Sequence, residues 1–217
     1  MNTRVVPIQY TQPWEISRSL PDAGDLKRQG LNDSEDRMVE IVNIVGSGAL
    51  DVELDLERLA DDIGDPVARY NPDNYPGMYL RFGEDEPLVT VYRTVKYILT
   101  GADSDDELHS LRERFLAFFA NLGVLEEPED EWFSVQNYVC TGDLEGAQNL
   151  NALAIGLGLE KTEYEPEQFP GLIYRPDSRD CVILIFATGR VVVTGARELE
   201  IAERAFKQLQ NTLSEYL

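Results

Sequence analysis

Residues 181–196 read CVILIFATGRVVVTGA, and residues 87–102 read PLVTVYRTVKYILTGA. Each stretch holds two apolar runs around a short polar break, the pattern of a β-hairpin. A strand with helices on one side and water on the other alternates apolar and polar residues. These strands do not. Cys181, Ile183 and Ile185 suit a helix-packed side, yet Val182, Leu184 and Phe186 make the opposite side apolar too. By the period of two, that opposite side continues through Thr188, Arg190, Val192 and Thr194. Its counterpart in the earlier stretch is Leu88, Thr90, Tyr92, Thr94, Lys96, Ile98 and Thr100. Helices of one unit cover one side only, so the second apolar side is either buried against another sheet or open as a binding surface.

The two stretches belong to a longer repeat. A shift of 94 positions places Asn43 on Asn137, Val45 on Val139, Tyr70 on Tyr164, Pro76-Gly77 on Pro170-Gly171, Arg81 on Arg175 and Thr100-Gly101-Ala102 on Thr194-Gly195-Ala196. Roughly one position in five is identical across the two units, about three times the level expected by chance. Two units are too few for a solenoid, so a pseudo-twofold pair is expected.

Each unit opens with an apolar strand (VEIVNIVG; FSVQNYVC). A short helix follows, built on Leu54, Leu59 and Ile63 or on Leu150, Leu153 and Leu157. Turns and strands come next: Tyr70-Asn71-Pro72 and Tyr164-Glu165-Pro166 lead into a Pro-Gly turn that opens a strand (GMYLRF; GLIYR), two more strands follow it, and a long helix closes the unit. The long-helix stripes are Leu108, Leu111, Phe115 and Phe118, and Ala202, Ala205, Phe206 and Leu209. The predicted order is strand, helix, four strands, helix. Residues 1–38, rich in Pro, Gly, Asp, Asn and Ser, read as a disordered arm in which Trp14 and Ile16 are the candidates to dock. Residues 39–125 form the first unit and 126–217 the second, entered through the acidic linker EEPEDE at 126–131.

Composition narrows the function. The chain has 217 residues, 43% of them hydrophobic, enough for a sizeable core. Neither a bilayer-length apolar run nor a signal peptide is present, so a cytoplasmic, nucleoid-associated protein with no membrane partner is expected. Cys140 and Cys181 lack CxxC spacing and read as small buried hydrophobes, not as zinc ligands. The net charge of −21, with lysine only at 27, 96, 161 and 207, is the composition of a protein adapted to molar salt. No catalytic set can be assembled. His109 reads as a solvent-facing helix residue, and Asp103, Asp105, Asp106 and Glu107 as helix-start acids that serve the dipole and cap. Gly156-Leu157-Gly158 lacks the context of a nucleotide loop. No metal and no cofactor are expected.

An open face of Val, Leu, Phe and Thr suits a widened A·T minor groove, whose edges offer acceptors and apolar carbon but almost no donors. The phrases NLNALAIGLGLE, EYEPEQFPGLIYR and LIFATGRVVVTGA closely resemble the second repeat of TATA-box-binding proteins, in particular the archaeal, salt-adapted kind. The resemblance spans both units and leaves the arm aside. It implies an α+β fold, a pseudo-twofold saddle of two βαββββα repeats with a curved ten-stranded antiparallel sheet and helices on the convex face. It also implies a general transcription initiation factor that binds and bends TATA-box DNA and recruits transcription factor B, and through it the RNA polymerase assembly.

Carried over by position, the resemblance makes Phe169 and Phe186 the second-half wedges and Tyr75 and Tyr92 their first-half counterparts. Asn43 and Asn137 bond to the central base pairs. Val45, Val139, Ile98, Val192, Thr100 and Thr194 line the groove, while Arg81, Lys96, Arg175, Arg190 and Arg197 contact phosphates. The loop bearing Glu165, Glu167 and Gln168 is the stirrup offered to transcription factor B. A homodimer closing the open face in the absence of DNA is a further implied partner.

The first unit departs from the family pattern. Tyrosine stands where the family has phenylalanine wedges, Arg93 and Val95 where it has Ala and Gly, and Asp103 where it has a basic residue. These departures support an alternative, a divergent paralogue that binds transcription factor B without DNA and acts as a regulator or decoy.

Overall fold

The computed structural model describes residues 38–216, so the expected arm lies outside the described residues apart from Met38. The first set of elements is β1 (Glu40–Ala49), α1 (Leu56–Ile63), β2 (Ala68–Arg69), β3 (Gly77–Leu80), β4 (Leu88–Tyr92), β5 (Lys96–Ala102) and α2 (Asp105–Asn121). The second is β6 (Trp132–Asp143), α3 (Leu150–Leu157), β7 (Thr162–Glu163), β8 (Leu172–Tyr174), β9 (Val182–Ile185), β10 (Arg190–Ala196) and α4 (Leu199–Tyr216). The order in each set is the one predicted from the sequence. β2 and β7 are two residues long and too short for periodicity; pairing with β3 and β8 defines them.

The strands form one antiparallel ten-stranded sheet in the order β2-β3-β4-β5-β1-β6-β10-β9-β8-β7. Its centre is the β1–β6 pair, where Asn43 faces Val139, Ile44 faces Tyr138 and Val45 faces Asn137. A shift of 94 residues turns the first of these pairings into the last with the strands exchanged, so a pseudo-twofold axis passes at Ile44 and Tyr138. The repeats therefore join edge to edge, each covering the strand edge the other leaves unpaired. That arrangement excludes a sandwich of one repeat upon the other.

Local chemistry sets the helix starts. The Asp55 and Asn149 side chains accept the backbone N–H groups of Arg58 and Ala152, each at 3.2 Å, and cap α1 and α3. Leu54, read from the sequence as part of the first short helix, lies before this cap and is buried beneath it. At α2, Ser104 Oγ caps the helix by accepting from Glu107 N, and Glu107 Oε2 reaches back past the cap to accept from Asp103 N at 2.9 Å.

One apolar core joins all four described helices to the same side of the sheet. Phe115, Phe119 and Phe206 are its largest helix contributions, each worth about 2 to 3 kcal/mol on full burial. Phe119, not Phe118, completes the α2 stripe: Phe119 is fully buried, and Phe118 turns to the flank, edge-on to Phe82 at 5.2 Å. Residue 119 stands one helical turn beyond 115 on the same face, which residue 118 only borders. Cys140 and Cys181 are buried on the helix-packed side, where burial pushes the Cys181 thiol up to about 11.

The acidic linker is not wholly solvated. The Asp130 side chain is only 4% exposed and pairs with Arg112 at 2.5 Å, and it also accepts from the Tyr97 hydroxyl. Burial works against its charge, but the hydrogen bonds from Arg112 and Tyr97 prevail and hold the carboxyl below its usual range. The guanidinium of Arg112 also lies over the Phe133 ring, 5.0 Å from its centre. Linker, long helix and the start of β6 are thus fastened together.

Candidate nucleic-acid interface

The opposite side of the sheet carries its own apolar cluster. Val139, Leu184 and Val192 form its buried centre, with Val42, Phe169, Ile173, Val182 and Phe186 around them. No helix residue enters this cluster. Register explains its membership, because Leu184 pairs with Val192 and Ile173 with Leu184, placing the even positions of β9 and β10 beside the odd positions of β8. The period-two reading of residues 182–194 therefore describes a real surface.

Near the pseudo-twofold axis, the two asparagines are held alike. Asn43 Oδ1 accepts from Gly101 N at 2.7 Å and from Thr100 Oγ1 at 3.3 Å. Asn137 Oδ1 accepts from Gly195 N at 2.6 Å, and its Nδ2 donates to Thr194 Oγ1 at 3.1 Å. A backbone N–H needs an acceptor, so it settles which amide atom is the oxygen and leaves each Nδ2 with hydrogen to donate. Gly101 and Gly195, at φ 103° and 91°, adopt the left-handed backbone that presents these N–H groups. Donors fixed at the centre of an apolar face complement groove edges that carry acceptors only.

Aromatic pairs stand at the two ends. Phe169 and Phe186 meet at 5.9 Å and 64°, and Tyr75 and Tyr92 at 6.1 Å and 59°. The loops that deliver them share one turn, since Asn71 O accepts from Asn74 N and Tyr75 N as Glu165 O accepts from Gln168 N and Phe169 N. The tyrosine pair adds a mutual hydroxyl hydrogen bond, and Tyr79 stacks on Tyr75 at 5.2 Å. Burial, followed by the hydrogen bond shared with Tyr75, raises the Tyr92 hydroxyl above its ordinary pKa, so it stays protonated.

Arg81, Lys96, Arg175, Arg190 and Arg197 are all exposed, and none is in a salt bridge among the described residues. In a chain of net charge −21, cations left without acidic partners are available to an outside anion. Glu165, Glu167 and Gln168 lie exposed in the loop between β7 and β8, where the Gln168 amide donates to the Glu165 carboxylate.

The family model of transcription factor TFIID, or TATA-binding protein, matches the chain twice, over residues 38–122 and 132–216. The chain belongs to that family. TATA-box-binding protein C of Halobacterium salinarum is 54% identical over 82% of this chain and 98% of its own length. TATA-box-binding protein 2 of Haloferax volcanii is 45% identical over 79% of this chain and 90% of its own. The solved structure of Methanococcus jannaschii TBP matches with a TM-score of 0.69 at 37% identity, over 82% of this chain and 98% of that one. The fold match and the haloarchaeal origin of the two curated relatives agree with the sequence reading. Among the described residues, no helix is long and apolar enough to cross a membrane.

Sequence reasoning missed Tyr79 and Ile173 on this face. Their parity in β3 and β8 is hidden by strands of only four and three residues; the pairings Tyr79–Thr90 and Ile173–Leu184 reveal it.

Proposed function

We propose that this chain is a promoter-recognition factor that binds A·T-rich DNA through the minor groove, bends it and recruits transcription factor B. The observation that carries this reading is the open face itself, an apolar surface with two anchored asparagines at its centre and an aromatic pair at each end. Residues 39–125 grip one half of the site and 126–217 the other. Asn43 and Asn137 donate to acceptors of the central base pairs, with Val45, Val139, Ile98, Val192, Thr100 and Thr194 against the groove floor. Phe169 and Phe186 enter a base step at one end and kink it, and Tyr75 and Tyr92 take the other end. Arg81, Lys96, Arg175, Arg190 and Arg197 position the phosphates without reading sequence. The loop of Glu165, Glu167 and Gln168 receives transcription factor B.

The acidic composition supports binding in concentrated salt. Counterion release contributes little there, so affinity comes from apolar burial and shape. A second reading, a regulator that binds transcription factor B without DNA, is favoured by one observation: the first-half aromatics carry hydroxyls, which cost free energy to desolvate between bases.

An equilibrium titration in molar potassium chloride, with TATA-containing and scrambled duplexes and with or without transcription factor B, separates the two. Selective binding to the TATA duplex, strengthened by transcription factor B and maintained as potassium rises, is expected. Binding to transcription factor B but to neither duplex would replace the first reading with the second.

A further inference from the structure

The two ends of the open face differ by hydroxyl groups in a consistent way. At the second-half end stand Phe169, Ile173, Leu184 and Phe186; the positions 94 residues earlier are Tyr75, Tyr79, Thr90 and Tyr92. Every one of the four carries a hydroxyl in the first half and none does in the second. They form one site, because Gly77 pairs with Tyr92, Tyr79 pairs with Thr90, and a Cβ on Gly77 would strike Tyr75, Thr90 and Tyr92 together. The two aromatic pairs meet with nearly the same ring geometry, so within the pairs themselves the difference is the hydroxyls.

We propose that the first-half end recognises a base step containing a G·C pair, while the second-half end accepts A·T alone. This rests on the minor-groove reading given above. In the Tyr75–Tyr92 pair one hydroxyl hydrogen is spent on the mutual bond, leaving one hydrogen to donate and free lone pairs on the donating oxygen. An A·T edge presents only acceptors, so those lone pairs face other lone pairs and stay unsatisfied. A G·C edge adds the guanine N2 amino group, which donates into them, and its acceptors take the remaining hydrogen. Phenylalanine has neither capacity, and a desolvated guanine amino group against Phe169 and Phe186 loses its hydrogen bond to water. Tyr79, stacked on Tyr75 at 5.2 Å and 9°, braces the pair before DNA arrives, which limits the ordering cost of binding. The site is thereby polar along its length and sets which way the protein faces on the promoter.

The test is equilibrium binding of the full chain in molar potassium chloride to three duplexes sharing one A·T-rich core, with a G·C pair at neither, one or both terminal steps. Wild type is expected to bind the singly substituted duplex best, by about tenfold over the all-A·T duplex. Tyr75→Phe with Tyr92→Phe is expected to make the all-A·T duplex the best ligand, and Phe169→Tyr with Phe186→Tyr to make the doubly substituted one best. Each swap installs the side chains the opposite half already folds around, and a thermal melt in the same buffer confirms folding. Wild type preferring the all-A·T duplex, or a preference unchanged in the tyrosine-to-phenylalanine variant, would overturn the inference while leaving A·T-selective binding in place. Failure to bind any duplex would remove the minor-groove reading and this inference with it.

Discussion

The two halves of the saddle share a skeleton and differ on the surface it displays. Asn43 and Asn137 are clamped by the same glycine and threonine positions, α1 and α3 are capped at the same distance, and the aromatic pairs meet at nearly the same spacing. On the open face, the second half gathers Val139, Leu184 and Val192 into a buried cluster, and the first half presents Tyr75 and Tyr79 at 36% exposure. The helix-packed side also diverges, since Tyr97 and Arg112 of the first half stand where the second has Val191 and Phe206. Hydrogen bonds that set strand register tolerate little change, because a one-residue slip turns every side chain to the other face. Side chains that only meet a ligand are free to diverge. The comparison separates what the fold requires from what the binding surface chooses.

The aromatic ends should differ most. Phe169→Ala with Phe186→Ala should weaken DNA binding by about 4 kcal/mol, roughly a thousandfold, as loss of paired apolar anchors does. Tyr75→Ala with Tyr92→Ala should cost only about tenfold on an all-A·T duplex, because hydroxyl desolvation already offsets much of the ring contribution. Equal losses in titrations of the two variants would show that the ends act alike.

Next comes the clamp of the linker's Asp130 on Tyr97 and Arg112, two first-half residues whose second-half counterparts are apolar. Asp130→Ala leaves Arg112 and the Tyr97 hydroxyl without their buried partner and should cost about 3 kcal/mol of stability. In a thermal melt the midpoint should fall by about 10 °C. The folded-state pKa of Asp130 lies below its unfolded value, so its contribution is complete above that unfolded value, near pH 4, and is lost as pH falls through the folded one. Wild type should therefore lose stability in acid more steeply than Asp130→Ala, a difference that chemical denaturation across pH would expose.

A smaller and symmetric effect is expected at the centre. Asn43→Ala and Asn137→Ala each remove one anchored donor and should weaken promoter binding by about 1.5 kcal/mol, near tenfold. A large inequality between the two in parallel titrations would mean that the pseudo-twofold axis does not coincide with the centre of the bound site.

At the hairpin tips the halves differ by a single strained residue. Val95 adopts φ 62° where the second half has Gly189 at φ 93°. A β-branched residue in the left-handed region is strained, and Val95→Asn should stabilise the protein by about 1 kcal/mol, a rise of a few degrees in the melt.

Much of this was legible beforehand. The strands from 87 to 102 and from 181 to 196 announce themselves through two apolar sides, and Asn43, Asn137, Phe169 and Phe186 follow from the repeat and the family resemblance. Phe118 stands in the stripe read from the sequence where packing puts Phe119, because two adjacent phenylalanines satisfy a helical stripe almost equally until packing selects one. Asp130 was hidden in a run of acids whose composition describes solvent, although one member faces inward. Tyr79 lay in a strand too short to display its period.

Element order, duplication and the apolar character of both sheet sides can be read along the chain, because periodicity and repetition are properties of the chain. Folding is what pairs β1 with β6 at the centre, engages Oδ1 of each asparagine, buries Asp130 and gathers four hydroxyls at one end. These depend on contacts between residues far apart in sequence, where sheet register and side-chain packing bring together groups that no local pattern relates.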